Sequence, residues 1–226
     1  TQVPEDKLKF VLNRMGYEGS LLRVGAPAPS SNAIGYVNAA AWSKGRFQLI
    51  GQEEALRWLA PAYLRAFGPA RRKDFQWWAG ITAGAAKLAW EGMEKVEVEK
   101  GYFMLPEDVA DFQASVAIPE DTIDLLPQWD SYTMGYAPDG RARFVAPEFQ
   151  DQIYGKLGAT RGNGLGTILL DGLACAGWTS RTKGKELEVE AAFFRKVTAA
   201  QQKKIAAAFE ELATFLQAAK LKLVIS

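Results

Sequence analysis

Residues 66–105 read AFGPARRKDFQWWAGITAGAAKLAWEGMEKVEVEKGYFML, and their pattern decides the fold. Pro69 suits a helix start, where a missing N–H costs nothing. Phe75, Trp78 and Ala79 stand at i, i+3 and i+4, one apolar helical face. Gly80 is placed to end that helix in the left-handed conformation. Thr82 can cap a second helix, whose apolar spacing runs through Ala85, Leu88, Ala89 and Met93. Val96 and Val98 then alternate with Glu97 and Glu99, Lys100-Gly101 turns the chain, and Tyr102 to Leu105 return. Two helices on a tight glycine turn followed by a hairpin predict a winged helix.

Working outward, residues 5–15 predict a helix ended by Gly16, and Leu21–Val24 and Tyr36–Val37 predict short strands about the loop 25–35. These read as the last helix and wing of a preceding winged helix. Residues 52–67 predict a helix with a stripe of Leu56, Leu59, Tyr63, Leu64 and Phe67, kinked or split at Pro61. From Ile123 the pattern turns to β. IDLLPQWDSYTMGY (123–136) predicts a strand, a bend at Pro127 and an aromatic continuation. PDG (138–140) predicts a turn, RARFV (141–145) a strand and 147–154 a short helix. TILLDGLACAGW (167–178) predicts a hairpin on Asp171-Gly172. A strand at 185–194, an amphipathic helix at 199–217 and a strand at 220–225 complete it. The expected fold is therefore α+β: winged-helix modules (helix-turn-helix plus β-hairpin), then a small β-barrel or curved sheet packed by a long helix. The expected domains are 1–50, a remnant of a preceding winged helix; 51–118, a winged-helix domain; and 119–226, a β-barrel-like domain.

Composition narrows the chemistry. The chain has 226 residues, 48% of them apolar, one cysteine and no histidine. The missing histidine excludes Ser-His-Asp and Cys-His catalysis and every His-bearing zinc site. Cys175 cannot form an intrachain disulfide and reads as a small buried hydrophobe. No apolar run approaches the ~20 residues of a membrane span. Residues 1–100 hold 14 Lys and Arg against 10 Asp and Glu, residues 101–150 hold 2 against 9, and residues 151–226 hold 11 against 7. A nucleic-acid surface would use the two ends and not the middle.

The candidate DNA-binding residues are Arg71, Arg72, Lys73, Thr82, Lys87, Arg181, Lys183 and Lys185. The first three form a basic run ahead of the first helix of the pair, and the last three sit at a hairpin tip able to reach phosphates. A solvated surface remains open for both clusters. The second helix of the pair offers only Lys87, with Glu91 against it, which is sparse for reading base edges. Trp77, Trp78 and Trp129 can stack bases or fill a core. Asp130, beside Trp129, is the one weak catalytic candidate; as a turn aspartate it would instead bind nearby backbone N–H groups. GATRGNGLG (158–166) is no phosphate loop, because no Gly-Lys-Ser/Thr follows and the next element is a strand.

Three stretches together resemble the AlkZ-like, YcaQ-type DNA glycosylase family: YLRAFGPARRKDFQWWAGITAGAAKLAWEGM, then LLPQWDSYTMGY, then ILLDGLACAGW with the long helix ending in FEELATFL. They come in the family's order and span nearly the whole chain. The resemblance implies tandem winged helices and a β-barrel that cup duplex DNA. In the glycosylase members it implies hydrolysis of the N-glycosidic bond of alkylated or crosslinked purines. Those members use two glutamines flanking an aliphatic residue in an N-terminal winged helix, and the expectation is that this chain begins after that segment. Gln150-Asp151-Gln152 has the flanking letters with the wrong middle residue, so no catalytic role is carried onto it.

The resulting expectation is double-stranded DNA binding as part of a DNA-repair glycosylase-like protein, without catalytic residues in this chain. The expected partners are duplex DNA and the segment upstream of Thr1. The expected location is the cytoplasm, at the nucleoid if DNA is bound. No cofactor, metal or membrane is expected. A non-enzymatic regulatory or protein-interaction module is the alternative, and a small-molecule pocket in the barrel has least support.

Overall fold

A computed structural model describes residues 4–26, 31, 33–46, 50–155 and 164–226. The chain divides into two compact units, Thr1–Gln52 and Glu53–Ser226.

The first unit holds α1 (Glu5–Tyr17), β1 (Leu21–Val24), β2 (Gly35–Asn38) and α2 (Ala39–Trp42). Helix α1 runs through Gly16, and the chain turns instead at Gly19, which takes φ 72°. The two strands pair antiparallel, Leu21 opposite Asn38. The Asn38 side chain accepts the Ala41 N–H and starts the short α2. Part of the loop expected at 25–35 lies outside the described residues.

The second unit begins in α3 (Gln52–Phe67), followed by α4 (Arg72–Ala79), α5 (Ala83–Glu91), β3 (Val96–Glu99), β4 (Tyr102–Met104) and α6 (Val109–Gln113). Helix α3 is not split at Pro61: Ala60, Tyr63 and Leu64, at 0–1% exposure, seat the residues around it in the core. Between α4 and α5, Gly80 is left-handed at φ 63°, ψ 32°, and the Thr82 side chain accepts the Ala85 N–H. Pro69 lies two residues ahead of the N-cap, Arg71, and not in the first turn. The β3–β4 hairpin turns at Gly101, φ 82°.

Then come β5 (Ile123–Leu126), α7 (Ser131–Met134), α8 (Gln150–Tyr154), β6 (Gly166–Leu170), β7 (Leu173–Lys183), β8 (Glu186–Phe193), α9 (Ala199–Phe215) and β9 (Lys220–Ile225). The five strands make one sheet in the order β5-β6-β7-β8-β9. Asp171 and Gly172 both have positive φ, as a two-residue hairpin turn requires. The sheet is open, not a closed barrel. Helix α9 is a crossover that returns β9 parallel to β8, so β5 and β9 remain the two edges.

Two sequence expectations are corrected. RARFV is not a strand: Pro138–Arg143 is a 3-10 helix, and the Arg141 carbonyl takes the N–H groups of Phe144 and Val145. The aromatic continuation after Pro127 is the short α7 and not a strand. Asp130 caps it by accepting the Tyr132 N–H at 2.8 Å. In both places a locally satisfied turn wins over alternation, although the Phe144 carbonyl still accepts the Ala174 N–H of β7 at 2.7 Å.

One core of the second unit joins α3, α4 and α5 to Tyr136, Phe144, Ile153 and Leu169. The expected segments 51–118 and 119–226 thus share buried residues. The other core packs Ile205 and Phe209 of α9 on Ile168, Trp178, Leu187 and Val189 of the sheet.

Candidate nucleic-acid interface

The helix pair presents Arg72, Lys73, Thr82 and Lys87 to solvent, while Phe75, Ala86, Ala89 and Trp90 are buried. Thr82 works as a helix cap. Lys87 faces Glu91 at 3.8 Å, so the outer side of α5 carries one loosely paired cation. Lys95 turns back to donate to the carbonyls of Trp90 (2.6 Å) and Met93 (3.3 Å), a cation at a helix C-terminus.

Arg71 has a different setting. Its Nε and Nη2 donate to Asp74 at 2.9 and 2.8 Å, and its backbone N–H donates to the same carboxylate at 3.0 Å. Asp74 is fully buried and also accepts the Ala137 N–H at 3.0 Å. Asp139 accepts from Arg71 Nη1 at 3.0 Å and from Lys73 at 3.1 Å. Gly140 closes over the pair: a Cβ there would stand 2.8 Å from both Arg71 Nη2 and Asp74 Oδ1. The hydrogen bond from Arg71 to Asp74 pushes the guanidinium pKa up, against a burial penalty. Burial raises the Asp139 carboxyl, but the bonds from Arg71 and Lys73 outweigh it and the net direction is down. Arg71 therefore pins the segment 137–143 to the start of α4.

The same segment supplies two arginines that sequence reasoning missed. Arg141, 1% exposed, lies 3.7 Å above the Tyr154 ring and 5.0 Å from that of Trp77. Arg143 lies 3.8 Å above Tyr136 and donates to the Pro69 carbonyl at 3.1 Å. Both guanidiniums use aromatic faces in place of water. Burial pushes the Tyr154 phenol up to about 12. The phenols of Tyr63 and Tyr136 donate to the carbonyls of Gly135 and Phe67. Trp77 is half-buried beside Arg141, and Trp78, partly exposed, joins a ring cluster with Tyr63 and Phe67. Trp129 is 61% exposed.

A cavity of about 640 Å³ opens between the start of α4 and the β3–β4 hairpin, lined by Arg71, Arg72, Lys73, Gln76, Lys95 and Gly101, with Glu91, Trp90 and Phe103. It gathers the first predicted cluster on one concave surface and adds Gln76 and Lys95. The second cluster lies at the β7–β8 hairpin, which turns at Gly184. There Arg181 and Lys183 both donate to Glu188, Lys183 at 3.3 Å. The hydrogen bond from Arg181, then that from Lys183, holds the Glu188 carboxyl below its ordinary value. The Lys185 carbonyl accepts the Ala219 N–H at 2.7 Å, which ties β9 to the hairpin. Most of the glycine-rich loop 158–166 lies outside the described residues. Gln150-Asp151-Gln152 forms most of α8.

Some of these residues had a local signal. An Asp three residues after Arg71 at a helix start is a legible cap. Asp139 and Glu188 had none, since a turn aspartate and an outward strand glutamate both look solvated. Among the described residues no group of three His, Cys, Asp or Glu side chains could hold a metal ion, and no helix is long and apolar enough to cross a membrane.

The second unit is thus mixed α+β, with an open sheet and a basic cavity beside a pair of helices, and comparison with known proteins gives the class. A family model described as "DNA glycosylase AlkZ-like" matches residues 2–215, so the chain belongs to the AlkZ-like DNA glycosylase family. Among solved structures it is similar to Streptomyces sahachiroi DNA glycosylase AlkZ, with a TM-score of 0.72 and 22% identity. At that identity the likeness is one of fold. The match covers 98% of this chain and 58% of that one, so this chain spans a little over half its length. No curated protein matches the chain.

Proposed function

We propose that this chain holds double-stranded DNA as part of a DNA-repair glycosylase-like protein, and that it does not itself carry the catalytic glutamine pair. In this reading α3, α4, α5 and the β3–β4 hairpin act as a winged helix. Arg72, Lys73, Thr82 and Lys87 meet the backbone, with Gln76 and Lys95 from the same cavity, and Arg181, Lys183 and Lys185 form a second contact. Arg71 takes the inner position and keeps that surface in shape. The observation that carries the reading is the concave basic cavity at the start of α4, in a chain of this family. Cations so placed suit phosphate oxygens, which fix position without reading sequence.

The test is binding of a labelled duplex across a salt series. Each phosphate neutralised adds about −0.9 to the slope of log K against log salt, so R72A/K73A is expected to flatten it by up to about 1.8. Arg71 is left in place because its loss would disturb Asp74. An unchanged slope would move the interface elsewhere, and no binding at low salt would overturn the reading.

A second reading, a non-enzymatic regulatory or protein-interaction module, draws on the sparse outer face of α5. Its cation Lys87 is set against Glu91, and Lys73 is set against Asp139. The duplex titration separates the two readings, since this one expects no binding at low salt; a further test is base release from N7-alkylated duplex. This chain is expected to release none, since cleavage needs a group that positions water against a developing sugar cation. Asp130 spends a carboxylate oxygen on the α7 cap. Activity that disappears on Asp130→Asn would make Asp130 the catalyst.

A further inference from the structure

The outer face of the sheet at β7, β8 and β9 has one carboxylate enclosed by cations. Strand alternation puts Leu187 and Val189 inward under α9, and Glu188 on the opposite face. Register places Arg181 opposite Glu188 on one side and Lys222 opposite it on the other. Arg181 and Lys183 donate to Glu188, and Lys222 approaches to 3.8 Å. The Glu188 side chain is 13% exposed, against 64%, 55% and 60% for Arg181, Lys183 and Lys222. The anion is thus sunk among cations that reach out past it. Glu186 and Glu190 border the same face.

We propose that Glu188 sets the specificity of this face: it takes the place of a backbone phosphate between Arg181, Lys183 and Lys222, and so weakens binding to duplex of arbitrary sequence. The inference rests on the duplex-binding reading above and goes beyond it by naming what restrains the second contact. A phosphate reaching Arg181 and Lys183 must displace or share an internal anion that stays attached to the protein. The two cations then release fewer counterions on binding than their number implies. DNA that presses closely onto the hairpin can meet that cost, and a passing, loosely held duplex cannot.

The experiment uses the full chain and an undamaged duplex. Glu188→Gln keeps the shape and removes the charge. It is expected to bind tighter than the parent at low salt, with a slope steeper by up to about 1.8 for two released cations, which is about a tenfold difference in salt response over a fourfold salt range. Glu211→Gln changes the net charge equally from the far side, on α9, and is expected to leave the slope unchanged. In an R181Q/K183Q background, Glu188→Gln is expected to steepen the slope by no more than the about 0.9 of the one cation left, Lys222. If the parent binds and Glu188→Gln neither tightens binding nor steepens the slope, the inference fails and the duplex reading stands. If neither protein binds at low salt, the duplex reading fails and takes the inference with it. Should Glu188→Gln not fold, as a melting curve would show, R181Q/K183Q decides alone: a measurable loss of slope well under about 1.8 supports the restraint, and no loss or the full loss overturns it.

Discussion

Asp74→Ala is expected to lower the unfolding free energy by about 3 kcal/mol. That is the lower end of the roughly 3–5 kcal/mol seen when one partner of a buried ion pair is removed. Asp74 is at 0% exposure and accepts four hydrogen bonds: from the Arg71 backbone N–H, Arg71 Nε, Arg71 Nη2 and the Ala137 N–H. Its loss leaves a guanidinium short of its nearest anion and two N–H groups unmatched, one of them on Ala137 at 1% exposure. The lower end applies because Asp139 still holds Arg71 at 3.0 Å and the Arg71 side chain keeps some contact with water. Denaturant unfolding measures it, and a loss under about 1 kcal/mol would mean that water replaces the carboxylate at little cost. On the proposed duplex reading affinity should fall as well, because Arg71 and Lys73 line the basic cavity and Arg71 is held there by Asp74.

Phe209→Ala is expected to cost about 4 kcal/mol, within the 3–5 kcal/mol typical of removing a buried phenyl ring. Phe209 is at 0% exposure on the inner side of α9 and meets Trp178 edge-on at 5.3 Å. The void cannot easily be filled by Trp178. Its indole N–H donates to the Leu126 carbonyl at 3.0 Å, and its ring lies so close to Gly166 that a Cβ there would stand 2.7 Å away. A site whose neighbours are held keeps its cavity, and the cost rises with the cavity left. A loss below about 2 kcal/mol would show that α9 settles inward. Duplex affinity, corrected for the folded fraction, should not change, because α9 lies on the side of the sheet away from Arg181 and Lys183.

The elements most legible in the sequence are those whose cause is local. Gly80 and Thr82 announce the turn between α4 and α5. Asp171-Gly172 announces the β6–β7 hairpin, and the 3.6-residue spacing of Ile205, Phe209 and Leu212 announces α9. Each depends on residues within a few positions, so one strand of text contains the whole physics. The RARFV segment was not legible, because its alternation suits a strand as well as a turn and the choice depends on how the folded segments around it pack.

Charge was less legible than shape. From the sequence, Arg71, Arg72 and Lys73 are three equal cations ahead of a helix, and the acidic middle of the chain is poor in partners for DNA. In the folded chain Arg71 is drawn inward by Asp74 and Asp139, Lys73 leans on Asp139, and Arg72 stays outward. Arg141 and Arg143, the two cations of the acidic middle, stack on tyrosine rings. Arg181 and Lys183 share Glu188. The sequence by itself determined α1, α3, α4, α5, α8 and α9, the hairpins, the order of the strands along the chain and the family. Tertiary structure alone decided which cations face solvent. The physical reason is range: a cap or a turn is settled over a few residues, but an ion pair such as Arg71 with Asp139 spans 68 positions and exists only once the segments between are packed.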